Sequence, residues 1–196
     1  IPSDRTGVSK FRSVDPHLSL QNLYPDDFWV DVDYEPELEN DEFLKQYDII
    51  HYHRTLSPNY ELSKKVAPKL KSLGIISIMD LDDYWLPTID HPAHMMVKQN
   101  NLDKLIVENI KMAEHVNTTT EVFADEIRKL NPSVEVFPNA VDPREKQFQS
   151  NTPDSDRLRI GWLGGSSHME DLRILSGVVG KLQPYMDKLQ FVLCGF

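Results

Sequence analysis

The sequence predicts an α/β fold, a parallel sheet with helices on both faces, followed by the first β–α–β of a second sheet. Three observations carry this. Short apolar runs of strand length alternate with longer segments whose apolar residues recur at helical spacing. A β-branched run at 75–79, bounded by Gly74, has the continuous hydrophobicity of a strand buried on both faces. A polar stretch over 138–156, carrying Pro143 and Pro153, separates the last elements from everything before them.

The elements follow in order. Residues 28–34 set Trp29, Asp31 and Asp33 against Phe28, Val30 and Val32, the alternation of a strand with one exposed face. Residues 47–53 form a second strand. Over 60–73, Leu62, Val66, Leu70 and Leu73 recur at helical spacing, with Gly74 as the stop and Pro68 as a bend. Strand 75–79 comes next, then an irregular loop to 96. A long helix is predicted over 97–114, with Leu102, Leu105, Ile106, Ile110 and Ala113 on one stripe. Strand 115–120, a helix over 121–130 ended by Asn131 and Pro132, and strand 134–137 complete the first part. Strand 158–163, helix 167–186 and strand 189–194 make the second. The predicted domains are therefore 1–150, with a linker from about 138, and 151–196.

Composition bounds the function. The 196 residues are 40% hydrophobic and 27% charged, ordinary for a globular chain with a core. A net charge of −10 argues against nucleic acid or an anionic membrane surface as the main partner. Much of the excess is local: residues 26–42 hold nine acidic side chains and no Lys or Arg, read either as a solvated face or as an acidic docking patch. No apolar run approaches the roughly 20 residues of a membrane span, and no signal peptide opens the chain. The single cysteine, Cys194, suits a reducing compartment, so a cytoplasmic protein is expected. The chain opens on Ile1 and Pro2 and closes inside an apolar strand, which reads as a piece of a longer protein with its first strand clipped and its last domain unfinished.

In open parallel sheets, ligands bind beyond the carboxyl ends of the strands. Those positions hold many ionisable groups: His51, His53 and Arg54 after one strand; Asp80, Asp82 and Asp83 after the next; His91 and His94 in the loop beyond. Such groups move protons or hold sugar hydroxyls, although Asp82 and Asp83 also suit a turn cap and His51 a satisfied interior histidine. The same residues raise a metal-dependent hydrolase as an alternative, but none of their spacings is diagnostic of a metal site. Near the start, Gly7, Lys10 and Arg12 are candidates to face an anionic substrate group. Gly164, Gly165 and Ser166 follow a strand and precede a helix start, with Ser167 and Glu170 spaced as a capping box. Glycine there lets a phosphate approach main-chain amides at a helix N-terminus, or simply makes a tight turn. The motif is neither the dinucleotide fingerprint nor a Walker loop.

Three stretches, residues 113–126, 134–142 and 158–168, resemble in order and spacing the GT-B glycosyltransferases, particularly the GT4-like group of bacterial polysaccharide enzymes. The middle stretch looks like that family's strand-Pro-Asn-Gly-Val-Asp segment, with Ala140 in place of the glycine. The resemblance implies a Rossmann-like acceptor-side domain and the start of a donor domain, an incomplete GT-B pair. It implies transfer from a UDP- or GDP-sugar to a saccharide or glycolipid acceptor hydroxyl, without a metal or other cofactor. Gly164, Gly165 and Ser166 would face the donor diphosphate, with Gly7 on the opposite lip of the cleft. Where many relatives carry a histidine after the fourth strand, this chain has Asp80, then Asp82 and Asp83, so Asp80, Asp82 and His91 are the candidate catalytic positions. The family's basic pair and glutamate motif do not occur here, so the parent would be the enzyme and this piece inactive. Peripheral membrane association of the parent and a homodimer through the exposed final strand are further expectations. A non-catalytic sugar-nucleotide or partner-binding module is the main alternative.

Overall fold

The computed structural model describes residues 1–5, 7–149, 154–165 and 168–195. They form two compact units, Ile1–Leu86 with Val97–Val141, and Pro87–Met96 with Asp142–Phe196. The protein is α/β. Among the described residues, no helix is long and apolar enough to cross a membrane.

The chain opens with α1 (Gly7–Ser9), a π-helical segment (Lys10–Val14) and α2 (Asp15–Leu23), then α3 (Asp41–Leu44). Strand β1 (Ile49–His53), α4 (Tyr60–Ser72) and β2 (Ile76–Leu81) follow. Next come α5 (His94–Gln99), α6 (Leu102–Met112), β3 (His115–Thr118), α7 (Glu121–Arg128) and β4 (Val134–Val136). The four strands are parallel, in the order β1-β2-β3-β4, with Ile49 beside Ile76, Ile78 beside His115 and Val116 beside Val134. Ile1 adds a parallel pairing on the outer edge of β1: its N–H donates to His51 O, and His53 N–H donates to its carbonyl.

The pleat sorts the side chains. Ile50, Tyr52, Met79, Leu81 and Val116 share one face and are buried with Val66, Leu70, Ile110, Ala124 and Ile127 from α4, α6 and α7. His51, His53 and Asp80 share the other face. There the His17 ring lies 4.4 Å from that of His51, and Arg12 bonds Asp80, so helical segments meet both faces. Caps set the helix starts: Asn59 accepts from Glu61 and Leu62 N–H, and Thr120 from Phe123 N–H. Gly74, at φ 76°, ends α4, while Pro68 sits inside that helix without ending it.

Four expectations are corrected. Residues 28–34 are not a strand, because no neighbouring chain completes a ladder there; Val30 N–H is taken by Gln21 Oε1 and Trp29 stacks on Tyr47. The helix expected over 97–114 is two, starting earlier at His94 and broken by Asn101 in the left-handed region at φ 52°. The opening loop is helical from Gly7 on. In the second unit, β5 (Leu158–Leu163) and β6 (Leu189–Cys194) pair in parallel as the spacing predicts. The single helix between them is instead α8 (Met169–Arg173), α9 (Val178–Leu182) and a 3₁₀ turn (Gln183–Tyr185), interrupted at Gly177 with φ 80°. A left-handed glycine ends one helix and lets another start at a new angle.

Candidate functional site

The carboxyl ends of β1 and β2 gather the ionisable residues into one network. Asp80 is 2% exposed, and both its oxygens are held by Arg12, with Arg12 Nε donating at 3.0 Å to one and Nη2 to the other. The remaining Arg12 nitrogen donates to Phe137 O at 2.7 Å and Asn139 Oδ1 at 3.2 Å, just beyond β4. Arg12 sits in the π-helical segment, a widened turn that recurs at functional positions in helices. Through it, the opening helix is tied to β2 and to the segment that follows β4. Arg12 therefore does not face an anionic group in the open, as the sequence suggested, and Lys10 is paired with Asp15.

Asp82 lies beside this pair. His53, fully buried, donates Nε2–H to Asp82 Oδ1 at 3.0 Å, while its Nδ1 meets Ser3 Oγ at 2.6 Å. Arg54 reaches Asp82 at 3.3 Å and Asp83 at 2.7 Å. Burial alone pushes both aspartates up. For Asp80 burial wins over the Arg12 charge, and its carboxyl titrates above the ordinary value. For Asp82 the His53 hydrogen bond and the Arg54 charge outweigh burial and hold it at about 2. Asp82 is thus a permanent carboxylate, able to accept from hydroxyls and ill-suited to store a proton near neutral pH. Asp80, enclosed and doubly bonded, acts through Arg12 as a positioning residue.

Arg54 carries two further marks. Its backbone is left-handed at φ 64°, a conformation costing a side-chain-bearing residue of order 1–3 kcal/mol. Its Nε–H is buried and finds no hydrogen-bond partner among the described residues. A strained strand end with a partly exposed guanidinium beside two carboxylates is a place where a ligand has something to bond.

A cavity lies elsewhere in the first unit. It encloses about 600 Å³ between β1 and the 25–38 segment, lined by Ile49, Ile50, Val30, Val32, His17 and His51. Burial lowers the titration of both histidines, most strongly for His51, although Asp26, Asp27, Asp31, Asp33 and Asp48 also line the cavity. None of Asp80, Asp82, Asp83 or Arg54 lines it. The concentration of charged, strained and bonded groups makes the strand-end network the candidate site.

The remaining predicted residues are placed as follows. Gly7 is the first residue of α1, at an ordinary φ; a Cβ there would meet only the Phe11 ring at 3.8 Å. His91 belongs to the second unit and is folded into its own turn, its Nδ1 accepting from Ala93 N–H at 3.1 Å and its carbonyl from His94 N–H. Gly164 is needed by packing: a Cβ would come within 2.6 Å of the Trp162 ring. Gly195 approaches from β6 and its Cβ would overlap the Gly164 carbonyl. Gly165 is exposed, and its carbonyl accepts from His168 N–H at 3.0 Å. Ser166 and Ser167, with the predicted capping box, lie outside the described residues. The helix that follows, α8, has five residues, too few for a strong dipole, so any anion cradle there consists of loop amides.

Among the described residues, no group of three or more His, Cys, Asp or Glu is arranged to hold a metal ion. Arg12 holds both oxygens of Asp80, while His53 and Arg54 both meet Oδ1 of Asp82. Sequence reasoning missed Ser3 and the pairing role of Arg12, whose partner is 68 residues away. It also missed a stack of Tyr84 on Trp85, with ring centroids 4.3 Å apart, although two adjacent aromatics after Asp83 were visible as a signal. Compared with known proteins, the chain matches no family model, and no curated protein matches it.

Proposed function

We propose that this chain carries part of a GT-B glycosyltransferase of the GT4-like group, moving a sugar from a UDP- or GDP-sugar to a saccharide or glycolipid hydroxyl. The observation that carries the reading is Asp82, a carboxylate held ionised beside the partly exposed Arg54 guanidinium at the carboxyl end of a parallel sheet. That pairing of acceptor and donor suits the hydroxyls of a neutral sugar.

In the proposed reaction the acceptor hydroxyl oxygen bonds to the anomeric carbon as the bond to the diphosphate oxygen breaks, and the hydroxyl proton passes to the departing diphosphate. Asp82 and Arg54 orient the acceptor. The exposed main chain at Gly165 is the proposed contact for the departing diphosphate, in place of a metal. The cytoplasm, where nucleotide sugars are made, is the proposed location. A non-catalytic binding module keeps one observation in its favour: the Trp162 ring crowds any Cβ at 164 whatever is bound.

Calorimetry with UDP and GDP separates the two. The Gly165→Asp variant sets a carboxylate against phosphate and should lose nucleotide binding that the unaltered chain shows. Equal affinities in the two proteins overturn the donor-site assignment.

A further inference from the structure

We propose that Tyr84, backed by Trp85 and Phe123, is a platform on which a pyranose ring stacks. Only the word acceptor, applied to that sugar, rests on the transfer reading above. Tyr84 lies parallel to Trp85, with 23° between the rings, and Phe123 stands 6.0 Å from Tyr84 and 6.2 Å from Trp85. Trp85 and Phe123 are partly buried against the core, whereas Tyr84 is 50% exposed. The two inner rings fix the outer one, so a flat ligand meets a surface that is already ordered.

Position and charge select the occupant. Tyr84 follows β2 and Phe123 lies in the first turn of α7 after β3, so the platform stands on the strand-end edge that carries Arg54, Asp82 and Asp83. A pyranose has an apolar C–H face and a rim of hydroxyls. The ring face suits Tyr84, and the hydroxyls suit the neighbouring Asp83 carboxylate and Arg54 guanidinium. Three carboxylates (Asp80, Asp82, Asp83) outnumber two guanidiniums (Arg12, Arg54) in this network, which disfavours a phosphate-bearing ligand. An apolar peptide would bury these charges without matching them.

The test uses the whole chain with Trp29 and Trp162 replaced by Phe, so that indole emission reports Trp85. Methyl pyranosides of glucose, galactose, mannose and N-acetylglucosamine are titrated in turn, and UDP and GDP binding is measured by calorimetry on the chain with Trp162 unaltered. At least one pyranoside should change the emission saturably. Tyr84→Ala should weaken that binding by about tenfold, as expected for one lost stacking contact, while Tyr84→Phe retains it. A silent response to all four sugars, or equal binding by Tyr84→Ala with unchanged far-ultraviolet dichroism, overturns the platform. Pyranoside binding without nucleotide binding keeps the platform and counts against transfer. Nucleotide binding without pyranoside binding does the reverse.

Discussion

Replacing Asp82 by Asn should remove a stabilising contribution whose size and pH dependence follow from the site. The carboxyl titrates at about 2 in the folded chain against an ordinary 3.8. A gap of just under two units, at about 1.4 kcal/mol each, stabilises the fold by about 2.5 kcal/mol near neutral pH. Because the folded value is depressed, the contribution is present above the unfolded value and lost as pH falls towards the folded one. Near pH 3 about 1 kcal/mol should remain. Asp80 works in the opposite sense, since its folded value is raised: its favourable contribution is full in acid and lost as pH rises. Comparing Asp82→Asn with the unaltered chain at each pH removes most of that opposing trend, the remainder being the small part of the Asp80 shift that the Asp82 charge itself causes. Asparagine keeps an oxygen for His53 Nε2–H, so the difference reports mainly the charge. Urea unfolding near pH 7, 5 and 3 measures it. A gap that is absent near pH 7, or that does not shrink towards pH 3, refutes the reasoning.

Two more predictions concern the framework. Arg12→Met leaves the Asp80 carboxylate buried and unpaired and should cost about 3–5 kcal/mol in urea unfolding near pH 7. Adding Asp80→Asn should recover part of that loss, and a double variant no more stable than Arg12→Met would contradict the pairing account. Gly195→Ala should destabilise more than Gly164→Ala. The first forces a Cβ onto a carbonyl at φ 94°, while the second displaces only the Trp162 ring. Equal midpoints for the two variants would show that the turn is looser than described.

The elements with a self-contained signal were legible. Strands 158–163 and 189–194 are found with the expected bounds because continuous apolar runs of strand length have few other uses. Residues 28–34 misled because alternation specifies a face but not a partner, and a strand needs both. Asn101 and Gly177 each broke a predicted helix, and the Asn100–Asn101 pair and the Gly177–Val178–Val179 run were weak helix formers in plain view. At the site, the period-2 register placed His53 beside Asp80, and Asp82 and Arg54 followed as strand-end residues. Arg12 and Ser3 were not legible in this role, because tertiary packing brings them there from the opening segment and no local spacing encodes that contact.

The account turns on whether the main chain at Gly165 receives a diphosphate. Amide chemical shifts of the ¹⁵N-labelled chain, followed through titrations with UDP, GDP and the bare nucleosides, measure this at single residues. Gly164 N–H is held by Cys194 O, so the predicted result is a saturable displacement of the Gly165 amide with either diphosphate and none with uridine or guanosine. An unmoved Gly165 amide, with shifts confined to other basic surfaces, would contradict the glycosyltransferase reading.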